Sequence, residues 1–167
     1  MATSPSKPEQ YRALGLSTFA FTLCFAVWTI FSIIGIRISE DLVLSDTRLG
    51  LLMATPILTG SVSRLFLGIW TDRYGGRWVF GILMLTTAAC VYLLTFATTY
   101  LMLLIGALGV GLAGGAFIVG VAYTAAWFEP EHQGTALGIF GAGNVGAAGT
   151  TLGAPFLRVA FGWESPG

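Results

Sequence analysis

Charge is scarce in this chain. Only 10% of its residues are Asp, Glu, Lys or Arg, against about 25% in a soluble domain. Eight Lys/Arg balance eight Asp/Glu, so no basic field is present to hold nucleic acid. Histidine occurs once, at His132, in a polar turn where it is a solvated side chain. The two cysteines, Cys24 and Cys90, fall inside apolar runs and read as inert packing or lipid-facing residues. Nothing here makes a nucleophile constellation, a metal-ligating cluster or a phosphate loop, so the expectation is no enzyme and no cofactor. Residues 1–10 are too polar for a signal peptide and read as a short tail.

What the chain has is long apolar runs. It is 55% hydrophobic, with a mean hydropathy of +0.81. Five runs, at about 11–36, 49–71, 78–97, 101–127 and 134–161, each reach the roughly 20 residues that cross a bilayer as a helix. Strands are excluded, since the runs are too long and open sheet edges do not survive in lipid. The fold class is therefore all-α, a polytopic membrane helix bundle of about five transmembrane helices. Residues 11–161 form the bundle and 162–167 a truncated end. Pro56, Gly60 and Ser61 predict a kink in the second span, and Ser45 or Asp46 caps its start. With the N-terminus inside, Lys7, Arg12, Arg73 and Arg77 are cytoplasmic, against Arg37, Arg48 and Arg158 outside. The positive-inside rule thus favours a cytoplasmic N-terminus.

Glycine is abundant, with 23 residues, and it is densest from Gly111 to Gly153. Lipid does not drive helices together as water does; close backbone approach does, and small residues allow it. Gly111, Gly115, Gly134, Gly138, Gly141, Gly143 and Gly146 are the expected packing positions. Gly134, Gly138, Ala142, Gly146, Gly149 and Gly153 recur every three or four residues and are expected to share one helix face. Asn144 is the one amide inside that smooth surface, and it needs a partner. The glycines lie within helices, so a dinucleotide-binding reading is excluded.

Arg64 lies inside the second span, about seven residues and so roughly 10 Å from the next charged turn. An arginine at the centre of a span costs about 2.5–3.5 kcal/mol. No Asp or Glu lies within the five runs, so an internal ion pair is not expected, nor is a proton relay. A buried, unpaired guanidinium favours an anion with paired oxygens; snorkelling to the interface is the structural alternative. The turn Gly68-x-x-x-Asp72-Arg73-x-Gly75-Gly76-Arg77 is tight and charged. There Asp72 is expected to pair with a helix end or an arginine and hold one conformation closed.

The Gly68 to Arg77 pattern resembles the loop between helices 2 and 3 of the major facilitator superfamily. The stretch around Gly141-Ala142-Gly143-Asn144-Val145-Gly146 resembles the nitrate signature of its nitrate/nitrite porter family. In that family a helix 2 arginine binds substrate, and Arg64 stands eleven residues before Gly75, the spacing that the resemblance requires. The resemblance runs from about Leu14 onward. It implies an inner (plasma) membrane porter for nitrate or nitrite. Arg64 and Asn144 would hold the anion, and an aromatic clamp would come from Phe117, with Phe25 and Phe31 as weaker choices. Gly68, Asp72, Arg73, Gly75, Gly76 and Arg77 would form a gating loop. Such porters have two six-helix halves, so the chain reads as an N-terminal portion that lacks a sixth helix and a C-terminal half. The alternatives are a small membrane interaction protein without transport, and a porter of another small anion.

Overall fold

The computed structural model describes residues 6–41, 45–150 and 152, and the side chains of all of these except 30–41. Six α-helices follow in order: α1 (Lys7–Asp41), α2 (Asp46–Tyr74), α3 (Gly76–Leu94), α4 (Tyr100–Ala113), α5 (Ala116–Trp127) and α6 (Pro130–Gly141). A 3-10 turn, Ala142–Asn144, follows α6, and 145–150 is helical again. No strand occurs among the described residues. Among the described residues, four segments are long and apolar enough to cross a membrane: Lys7–Thr29, Asp46–Tyr74, Gly76–Leu94 and Tyr100–Trp127. The chain is thus a multi-pass, all-α membrane bundle. The latter part of the expected fifth span lies outside the described residues.

Helix α1 starts earlier than hydropathy suggests. Ser6 N and Ser6 Oγ both donate to Glu9 Oε2, at 3.0 and 2.7 Å. Ser6-Lys7-Pro8-Glu9 is thus half of a capping box, with proline in the first turn, where its missing N–H costs nothing. Helix α2 runs unbroken through Pro56. It starts after Ser45, whose side chain makes no capping bond. The turn into α3 is a single residue. Gly75 alone takes a positive φ, 84°, a conformation that side chains disfavour. Gly76 serves a different need: a methyl group there would lie 2.6 Å from Tyr123 Cβ on α5.

The fourth span is broken at its middle. Gly114 N donates to Gly111 O (3.0 Å) and Gly115 N to Leu112 O (2.8 Å), a 3-10-like turn that separates α4 from α5. Here α2 crosses α4 backbone to backbone. A methyl group on Gly111 would meet Pro56 O at 2.8 Å, and one on Gly60 would meet Gly111 O at 3.0 Å. Leu52, Leu103, Ala107 and Val110 close the core on one side of this crossing. Phe21, Leu67, Phe80, Val119 and Phe140 belong to a second cluster.

Polar groups inside are satisfied locally. Thr18, Thr22, Thr55, Thr59 and Thr71 each bond the carbonyl four residues back. Ser17 Oγ and Thr124 Oγ1 join α1 to α5 at 3.1 Å. The last carbonyls of α5 have no helical donor. Gln10 Nε2 donates to Trp127 O (2.9 Å), and Gln133 Nε2 to Ala125 O (3.0 Å) and Phe128 O (3.1 Å). Cys24 is buried and Cys90 half-buried, both as free thiols.

The expected glycine face is not the packed one. Ala136, Phe140, Gly143 and Gly146 are buried, whereas Gly134, Gly138, Ala142 and Gly149 are exposed. A methyl group at Gly134, Gly138, Gly141 or Gly149 would meet nothing within 4 Å. The reason is geometric. Each four-residue step overshoots a full turn by about 40°, so three steps carry Gly146 about 120° round from Gly134. The tighter 3-10 turn rotates the face further.

Two substitutions test the crossing. Gly111→Val is expected to lower stability by about 1–3 kcal/mol through overpacking. Gly81→Ala, where nothing lies within 4 Å, should stay within about 0.5 kcal/mol. Unfolding of the detergent-solubilised protein measures both, and an unchanged Gly111→Val would contradict the close crossing.

Candidate anion site

The α4–α5 break frees a carbonyl. In an unbroken helix Gly114 O would accept from Ile118 N. Instead Ile118 N turns to Gly115 O, at 3.2 Å. Arg64, one turn past Gly60 on α2, takes the vacated position: its Nε donates to Gly114 O at 3.3 Å. The crossing that brings glycine backbones together thus also sets the arginine against the break. Both terminal nitrogens of Arg64 make no hydrogen bond or ion pair among the described residues. Arg64 is exposed on this chain, which corrects the expectation of a buried, wholly unpaired guanidinium. A backbone carbonyl takes one N–H, and the two-pronged end remains available.

Beside this break runs a row of aromatic rings. Phe117 on α5 is 37% exposed; its ring centroid lies 5.6 Å from that of Phe21 and 6.0 Å from that of Phe140. Phe21 stacks on Phe140 at 4.8 Å and tilts against Phe25 at 5.5 Å. Phe25 stacks on Trp28 at 5.6 Å. The row therefore leads along α1 from Phe117 to Trp28. Phe25 belongs to it; the side chain of Phe31 lies outside the described residues.

Asn144 closes the 3-10 turn after α6 and is exposed, with no hydrogen bond from its amide among the described residues. It does not sit within a packed glycine surface. Its neighbours do the packing: a methyl group on Gly143 would meet Phe21 Cδ1 at 2.6 Å, and one on Gly146 would collide with Thr22 O. The turn that carries Asn144 is therefore seated on α1 beside Phe21, the ring on which Phe117 packs. Arg64, Phe117 and Asn144 make no hydrogen bond to one another.

The loop residues behave differently from the expectation. Asp72, Arg73 and Arg77 are exposed and form no ion pair among the described residues. Arg73 instead lies over the Tyr74 ring, 5.7 Å from its centroid. The expected Asp72 partner is not found among the described residues. Gly68 makes an ordinary contact, its added methyl 3.5 Å from Ile118 Cγ2. A groove of about 670 Å³ between α1, α3 and α5 is lined by Arg12, Leu16, Arg77, Phe80 and Tyr123 among others. None of Arg64, Phe117 and Asn144 lines it, so the groove is separate from the arginine.

Sequence reasoning missed Phe21, Trp28 and Phe140. Their signal was available: Phe21, Phe25 and Trp28 recur at four and three residues, one face of α1. Phe140→Ala should cost about 3–5 kcal/mol, as a fully buried ring. Phe117→Ala should cost about 1–2 kcal/mol, since part of that ring is already uncovered. Unfolding of both variants in detergent checks the difference, and a larger loss at Phe117 would reverse the assignment of the core.

Comparison with known proteins gives the family. The model of the Major Facilitator Superfamily matches residues 16–167. A probable nitrate/nitrite antiporter of Thermus thermophilus is 48% identical over 151 residues, covering 90% of this chain and 34% of that protein. A nitrite extrusion protein of Bacillus subtilis is 33% identical over 157 residues, covering 94% of this chain and 40% of that protein. A probable nitrate transporter of Staphylococcus carnosus is 32% identical over 152 residues, covering 91% and 39%. The chain thus spans between a third and two fifths of the length of these three relatives. A transmembrane bundle with a one-glycine turn after α2, an intramembrane arginine and a family match over nearly all its residues leaves one classification: the chain belongs to the major facilitator superfamily, a family of transporters and not of enzymes.

Proposed function

We propose that this chain is the N-terminal portion of a nitrate/nitrite porter of the plasma (inner) membrane, with its N-terminus in the cytoplasm. The observation that carries the reading is the state of Arg64. One N–H is spent on Gly114 O, and the two terminal nitrogens of this exposed side chain make no hydrogen bond or ion pair among the described residues. Nitrate and nitrite are planar, delocalised and singly charged. A guanidinium fork matches paired oxygens in one plane and is itself weakly hydrated, so little solvation is lost on pairing. The relatives, all named for nitrate or nitrite, support the same anion.

Asn144 supplies a second donor from the α6 side, and Phe117 offers a ring face to the flat anion. A C-terminal half completes the site, and alternating access follows from rocking the two halves about it. The open glycines of α6, Gly134 and Gly138, are the surface against which that half moves. The outward charges Asp72, Arg73 and Arg77 act as gate residues against partners that the missing half brings.

The test is nitrate uptake by the full-length porter in proteoliposomes. Arg64→Lys keeps the charge and loses the fork. It is expected to reduce uptake by about 10- to 100-fold, the worth of a charge-assisted hydrogen bond. Uptake at the wild-type level in that variant would remove Arg64 from the site. Uptake of a small carboxylate that nitrate does not compete with would change the anion.

A further inference from the structure

A buried donor at the α4–α5 break makes no hydrogen bond among the described residues, and the break also carries the partner of Arg64. Trp28 Nε1 is buried without a hydrogen-bond partner. A methyl group added to Gly114 would lie 3.3 Å from it. That glycine is the residue whose carbonyl receives Arg64. That carbonyl accepts a single bond, which at 3.3 Å is long for an N–H···O contact. The carbonyl of Gly111 lies 3.2 Å from the same added methyl, but it already accepts from Gly114 N at 3.0 Å. A carbonyl oxygen has two lone pairs, so an unpaired indole N–H and an under-used acceptor sit next to each other at a broken helix.

We infer that Trp28 is a positioning residue that takes over the Gly114 carbonyl when an anion draws Arg64 off it. The inference rests on the anion reading of Arg64. With no anion, the guanidinium holds the carbonyl and the indole N–H is unsatisfied. With an oxyanion on the fork, the long Nε bond is the one given up, and the carbonyl is left in apolar surroundings. A small movement at the α4–α5 break then brings the Trp28 N–H onto it. The exchange lowers the free energy of the loaded state twice: it satisfies the stranded carbonyl and removes the orphan donor. It also links α1, which carries Trp28, to whether Arg64 is occupied.

The experiment uses the full-length porter in nanodiscs with 15N-labelled tryptophan, the Trp28 indole signal being assigned by its loss in Trp28→Phe. The first arm needs no anion. Arg64→Ala, or Arg64→Met if the alanine variant does not fold, vacates Gly114 O, and the Trp28 indole proton should move downfield. An unmoved signal overturns the exchange whatever the substrate is. In the second arm nitrate is added to the wild type, and the same downfield movement is expected. If nitrate is transported and the signal stays, the anion-driven step is overturned. If Arg64→Ala moves the signal but wild type neither binds nor transports nitrate, the shared carbonyl stands and the nitrate reading falls. In the third arm Trp28→Phe should raise the KM for nitrate by about 3- to 10-fold. Trp28→His, with an N–H at the matching ring position, should recover most of it. An unchanged KM in Trp28→Phe overturns the proposal.

Discussion

Everything about this bundle depends on how near α2 and α4 come to each other. Gly60, Gly111 and Gly114 let two backbones touch where any side chain would hold them apart. In lipid this contact replaces the hydrophobic drive that organises soluble cores. The same crossing fixes the register of α2 against the broken fourth span. Arg64 reaches Gly114 O only because Gly60 lies one turn earlier against the same residues. Moving the helices apart by one methyl group would remove both the packing and the arginine's partner.

The aromatic row does for α1, α5 and α6 what glycine does for α2 and α4. Phe21 lies at its centre, touching Phe25, Phe117 and Phe140, and Gly143 makes room for it. Large rings and missing side chains are thus two halves of one fit. Around them, several threonine hydroxyls turn back to their own helices. Among the described residues, only Trp28 Nε1 and Thr87 Oγ1 are buried without a partner. Thr87 lies on α3, whereas Trp28 lies near Gly114, whose carbonyl receives Arg64.

Much of this was legible in the sequence. Hydropathy and length marked the helices, because a bilayer demands long apolar runs whatever their neighbours are. Gly75 and Gly76 marked the turn, and Arg64 stood out by its cost. What escaped were features set by the direction of side chains. A four-residue glycine stripe looks like one face on paper, yet it winds round α6, so Gly134 and Gly146 point apart. The break at Gly114–Gly115 leaves no trace in hydropathy, since α4 and α5 are equally apolar. Asp72 makes no ion pair among the described residues and is exposed, which spacing alone does not reveal. The start of α1 was written in Ser6 and Glu9, but composition averaged them into a polar tail.

The clasp on the end of α5 has a consequence for the order of synthesis. Gln10 donates to Trp127 O across a separation of 117 residues. The glutamine therefore leaves the ribosome long before its acceptor exists. Helix α1 can enter the bilayer early, but its first turn is not locked until the hairpin of the third and fourth spans has followed it. Fastening the start of α1 to the end of α5 therefore waits for the spans between them. The same few atoms that tidy a helix end also report that assembly has reached α5.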